Sequence, residues 1–168
     1  MRLLAATTLL LAACSSVATN YDYDTSYDFS KLKSYAWARA VGQPEASPLV
    51  LERIHAAVDK ELGARGYARA ERNPDFLVAT FAGRQSRIQV TDWGYRYGPP
   101  GYWHHGGIDV YQYEEGTLIV DVVDAKSKRL VWRGTATGTV DTSATPEKRT
   151  ERINAAVAKI FERFPPSP

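Results

Sequence analysis

Glu115-Gly116-Thr117-Leu118-Ile119-Val120-Asp121-Val122-Val123-Asp124, then Leu130-Val131-Trp132-Arg133-Gly134, is the stretch on which the fold turns. Successive side chains of a strand point to opposite faces, so Leu118, Val120 and Val122 share one face. Asp124 to Arg129 makes a turn, and Leu130 and Trp132 are expected to continue that apolar face in a returning strand. Placing Asp121 opposite Arg133 also sets Val122 beside Trp132. In that register the apolar faces match and the charges pair, whereas a slip of one residue would turn every apolar side chain the wrong way. The chain between Glu115 and Val140 is therefore an antiparallel pair with one face that needs cover.

Upstream, Asn73-Pro74-Asp75 is a turn, and Phe76 to Ala82 is a strand with apolar residues on both faces. Alternation resumes in Arg87-Ile88-Gln89-Val90-Thr91, so this strand is expected to run on past Gly83 through a bulge. Ser34 to Trp37 is a short strand with Tyr35 and Trp37 on one face. The cover comes from two helices. Ser47-Pro48 supplies an N-cap and a proline where a missing N–H costs nothing, and Leu51, Ile54, Val58 and Leu62 form a stripe with Gly66 beyond its end. Thr145-Pro146 repeats the start signal, Ile153, Val157, Ile160, Phe161 and Phe164 form the second stripe, and Pro165-Pro166 stops it. The economical arrangement is an α+β domain, β-α-β-β-β-α, with a largely antiparallel sheet and both helices packed on one face.

The N-terminus carries a different message. Arg2, the apolar run Leu3 to Ala13, and Leu11-Ala12-Ala13-Cys14 resemble a secretory signal ending in a bacterial lipobox. The run is too short to cross a bilayer as a helix, which takes about 20 apolar residues. This predicts a signal peptide over residues 1–13, a lipidated tether over 14–25 and a single domain over 26–168, with Cys14 as the lipidation site. Cys14 is the only cysteine, so no disulfide is available. Ser15 follows it rather than Asp, which by resemblance to the lipoprotein sorting rule of enteric-type bacteria implies the periplasmic face of the outer membrane. Within the tether, Tyr21-Asp22-Tyr23-Asp24 lacks the spacing of a calcium loop and is expected to be an extended lead-in.

Lys and Arg number 21 against 19 Asp and Glu over the full chain, and one of the basic residues lies in the signal. This balance gives no basic stripe, so nucleic acid is not an expected partner. The segment 93–107 breaks the strand pattern with Trp93, Tyr95, Tyr97, Tyr102, Trp103 and His104-His105 among glycines and prolines. It is either a self-packed hairpin tip or a partner-binding loop for an envelope protein or glycan, since stacked aromatics suit such contacts. Adjacent histidines on an extended chain point opposite ways and no third ligand lies at a familiar spacing, so no metal is assigned.

Several segments together resemble the bacterial lipoprotein family known as domain of unknown function 4136: the lipobox, Tyr27-Asp28-Phe29-Ser30 with Tyr35-Ala36-Trp37, Asp75-Phe76-Leu77-Val78, Gly116 to Asp121, Leu130 to Gly134, and the closing Phe164-Pro165-Pro166. The resemblance implies an envelope lipoprotein with an α+β domain and brings no catalytic residue, ligand or cofactor with it. The expected function is non-catalytic, binding or supporting an envelope partner while the lipid on Cys14 holds the membrane. Gly-x-Ser-x-Gly, His-Glu-x-x-His and the phosphate loop are missing from the sequence. The alternatives are a hydrolase-type site assembled from distant residues, with His104 or His105 as base, and a small-molecule or lipid carrier with a cavity between sheet and helices.

Overall fold

The computed structural model describes residues 17–38, 46–92 and 108–166. Strands β5 (Ile108–Asp124) and β6 (Leu130–Val140) pair antiparallel with Asp121 opposite Arg133 and Val122 opposite Trp132, the register expected from the sequence. Leu118, Val120, Val122, Trp132 and Ala136 are buried on the shared face. Leu130 departs from expectation. The partner of Val122 is Trp132 but that of Val123 is Leu130, so Val131 is an extra residue in a bulge. The bulge shifts the alternation by one, and Leu130 leaves the apolar face for solvent.

β4 (Phe76–Asp92) pairs with β5 residue for residue along its whole length. The bulge expected near Gly83 is therefore absent. Gly83 sits opposite Thr117 in an unbroken ladder, and the irregularity falls instead on the other side of β5.

Two strands join those read from the sequence. β1 (Ala18–Tyr23) pairs antiparallel with β6, so half of the expected tether is part of the sheet. The reason is local. Tyr21 and Tyr23 stack side by side, and Tyr23 meets Phe29 edge-on, giving this polar strand an apolar hold on the domain. On the far side, β2 (Ser34–Trp37) runs parallel to both β4 and the two-residue β3 (Ala68–Arg69). The sheet is thus mixed, in the order β1-β6-β5-β4-β2-β3, with parallel pairing confined to one edge.

Helices α1 (Pro48–Ala64) and α2 (Pro146–Phe161) lie against one face and share a single core with it. Thr145 caps α2 by accepting from the Lys148 N–H, whereas Ser47 makes no such side-chain bond. Gly66 takes the left-handed conformation expected after α1 (φ 85°). Phe164 lies past the end of α2 rather than on its stripe, wedged between Phe29, Tyr67, Phe76, Trp132 and Phe161. Arg65, at the end of α1, donates to the carbonyls of Phe161 and Phe164 and lies over the Phe161 ring, tying the two helix ends together. Gly134 is required where it stands, because a Cβ there would lie 2.4 Å from the Trp132 indole and 2.5 Å from Ile160.

Candidate functional site: an open sheet face and a projecting ribbon

With both helices on one face, no described helix covers the other. The register lays out its rows. Leu77 sits beside Val123 and Leu130. Ala79 sits beside Asp121, Arg133 and Asp22, and Phe81 beside Ile119, Thr135 and Asn20. Phe81 is 51% exposed. At the centre Arg133 forks onto Asp121, Nε to Oδ1 and one terminal nitrogen to Oδ2, both at 2.7 Å. Asp121 is nearly buried (5% exposed) and is the one buried charged residue among those described. The carboxylate's hydrogen bonds raise the Arg133 pKa further, fixing its positive charge. An exposed aromatic ring and a pre-oriented guanidinium are side-chain types enriched at protein contacts. The clue in the sequence was Phe76 to Ala82, apolar at both odd and even positions, although the sequence reading singled out none of these residues as a site.

Above this face the β4–β5 pair continues alone. β6 ends at Val140, opposite Glu114, and β2 reaches only to Val78. Beyond those points the pair is a two-stranded ribbon up to Asp92 and Ile108. Arg84–Glu114 (3.2 Å) and Arg87–Glu115 (3.1 Å) brace it diagonally across the strands, and Ile88 on it is 66% exposed. Trp93, Tyr95, Tyr97, Tyr102, Trp103, His104 and His105, which follow the end of β4 in the chain, lie outside the described residues, as does Cys14.

A third cluster sits at the β2 edge. Asp59 on α1 accepts from the Tyr35 hydroxyl (2.7 Å), from Trp37 Nε1 (3.0 Å) and from Arg69 (3.3 Å). His55, one turn earlier, stacks on Trp37 at 3.9 Å, and its burial lowers its pKa. Burial, followed by the bond to Asp59, raises the Tyr35 pKa. Every oxygen of Asp59 is engaged, so this cluster reads as a strut between helix and sheet, with His55 packed against it through Trp37. Asp121 and Asp124 do not act together. The second accepts from the Ser127 N–H and hydroxyl and from the Tyr27 hydroxyl, which bring its pKa down to about 2. Among the described residues no group of three or more His, Cys, Asp and Glu could hold a metal. The grooves found lie on the helix layer, one of about 240 Å³ lined by Ala57, Lys60, Glu61, Asn154, Ala155 and Ala158. Neither it nor the groove at Pro146 to Asn154 includes a strand residue, so neither is the sheet–helix cavity a carrier would need.

Comparison with known proteins agrees on the fold. The chain is similar to a PDZ domain protein from Parabacteroides distasonis, with TM-score 0.61 and 16% identity over 91% of this chain and 36% of that one. It thus spans little more than a third of that protein's length. It is also similar to the PelC dodecamer from Paraburkholderia phytofirmans, with TM-score 0.50 and 13% identity over 87% and 96% of the two chains. Identities this low speak for the fold alone. No curated protein matches the sequence. The family model described as Domain of unknown function (DUF4136) matches residues 19–166, from the second residue of β1 to the Pro-Pro that follows Phe164, and this chain belongs to that family.

Proposed function

We propose that this protein is a lipoprotein of the bacterial envelope, acylated at Cys14 and held at the periplasmic face of the outer membrane. Its domain is a non-catalytic module that binds an envelope protein across the open face of the sheet. The observation that carries the binding reading is the half-exposed Phe81 beside Ile119, one row from the Asp121–Arg133 fork, on a face no described helix covers. Burying Phe81 alone would contribute about 2 kcal/mol. The envelope location rests on the lipobox: two or three acyl chains, at about 0.8 kcal/mol per buried methylene, hold a protein to a membrane nearly permanently.

The test is a photo-crosslinking residue in place of Phe81 in living cells, with a control in place of the exposed Glu151 on α2. A discrete adduct to one envelope protein, missing from the control, is the expected result. An adduct to a second copy of this chain would make the face a self-assembly surface, and no adduct would remove it as a contact surface. Either outcome overturns the reading. The location is checked separately: Cys14→Ala should abolish lipid labelling and leave unprocessed precursor.

A further inference from the structure

The start of β1 and the ribbon lie at the same end of the sheet. Ala18 is level with Thr137 on β6, which is level with Thr117 on β5 and so with Gly83 on β4. From that level β4 runs on nine more residues to Asp92, about 30 Å at ~3.3 Å per residue, the last six of them in the two-stranded ribbon. The chain leading back to Cys14 leaves Ala18 with only four residues to travel, a reach of at most about 14 Å. If Cys14 is acylated, as proposed above and on which this inference rests, the ribbon is longer than the leash that leads to the bilayer.

An upright domain can then stand in one of two ways. With the ribbon pointing away, the opposite end would be pressed into the membrane. β1 descends five residues from Ala18 to Tyr23, about 17 Å, which again exceeds the leash. That end carries Asp24 paired with Arg129, together with Asp124, Lys126 and Lys128, and charged groups are costly to place in lipid. The ribbon end is different. Ile88 is 66% exposed there. The N-terminal parts of the two helices meet at the same end, where α2 follows Val140 and Arg53 Nε donates to Thr150 Oγ1 at 3.1 Å. Leu49, in the first turn of α1, is 62% exposed. At the base of the ribbon Arg84 and Arg87 are paired with Glu114 and Glu115, while Asp92 and Asp109 stand at its tip.

We infer that the ribbon end is a membrane-facing surface, whose partner is the phospholipid interface and into which Ile88 and Leu49 dip. The lipid tether and the ribbon then form two separated attachments. Together they set the sheet upright and leave its open face free along the membrane normal.

Because Cys14 is the only cysteine and would be acylated, Ile88→Cys, Leu49→Cys and Lys126→Cys each introduce one reactive thiol at an exposed position. The acylated full-length variants are labelled with an environment-sensitive fluorophore and reconstituted into vesicles of phosphatidylethanolamine and phosphatidylglycerol. Some of the lipid carries a spin label just below the headgroup. Flotation with the vesicles tests the anchor, and quenching tests the orientation. The expected result is flotation of all three, with quenching of the Ile88→Cys and Leu49→Cys probes several-fold stronger than that of Lys126→Cys. Flotation with equal quenching, or with Lys126→Cys the more quenched, overturns the orientation and leaves the anchor standing. Failure to float defeats the anchor, and the orientation with it.

Discussion

Asp121 is a carboxylate almost without access to water, and it is tolerable only because Arg133 supplies two hydrogen bonds and a charge. The two partners are not equivalent, since the Arg133 side chain keeps nearly half its surface in water. Removing the arginine strands a desolvated charge, whereas removing the aspartate releases a guanidinium that can turn to solvent and to Asp22, its neighbour in the row. Arg133→Ala should therefore cost about 2–4 kcal/mol and Asp121→Ala about half of that, with the double variant less damaged than Arg133→Ala alone. Denaturant unfolding of the three would decide it, and equal losses would mean that Asp121 is better hydrated than its position indicates. The pairing itself was legible in the sequence, since alternation and charge matching allow one register. The burial of Asp121 was not, because it depends on the strands on either side. The indole N–H of Trp132 was likewise beyond reach. It is a buried side-chain polar atom without a hydrogen-bond partner, a consequence of packing the ring among Phe161, Phe164 and Gly134.

At the scale of elements, β1 shows how an edge strand is kept single. The Asp24 N–H bonds to β6 through the Val131 carbonyl, so by alternation the Tyr21 and Tyr23 N–H groups point away from the sheet. Asn20 Oδ1 and Asp22 Oδ1 each accept from the N–H of the next residue at 2.9 Å. An edge whose outward donors are already engaged and whose side chains include a charge is a poor template for another chain. Replacing both residues, Asn20→Thr with Asp22→Thr, frees those donors and improves strand propensity. Concentration-dependent dimers or larger species are expected by sedimentation velocity, beyond any shown by a parent of residues 15–168 that carries neither signal nor lipid. A variant that associates no more than its parent would show that these side chains do not guard the edge. The sequence showed Tyr21 to Asp24 as an extended alternating stretch but could not say that it joins the sheet. What holds it is a partner strand more than a hundred residues away. The helices and the β5–β6 pair carry their own periodicity and were legible, although β5 begins at Ile108, seven residues before the Glu115 read from the sequence.

For the whole molecule, the turns that close the sheet and helices share one device, an aspartate accepting from a nearby serine. Hydrogen bonds from Ser26, Ser30, Ser34 and Ser143 hold Asp24, Asp28, Asp75 and Asp141 below the usual carboxylate range, and those from Ser127 do the same for Asp124. Each group binds a proton less readily folded than unfolded, so its contribution is complete above the ordinary value of 3.8 and is lost as pH falls through the folded one, about 2 for Asp124. The melting temperature should drop between pH 5 and pH 2, and Asp124→Asn should start lower at pH 5 and fall less steeply. Parallel curves for variant and parent would remove Asp124 from the account. By itself the sequence determined the α+β class, the two helices on one face and the central register, because these follow from periodicity and caps that are local in the chain, and its motifs carried the resemblance to the family. Only the tertiary structure decided that the supposed tether is an edge strand, that the irregularity lies at Val131 rather than Gly83, and which sheet face stays open. It alone brought the ribbon and the start of β1 to the same end. Those outcomes depend on which distant strands become neighbours, and the energy that selects them is spread over a shared core that no single segment contains.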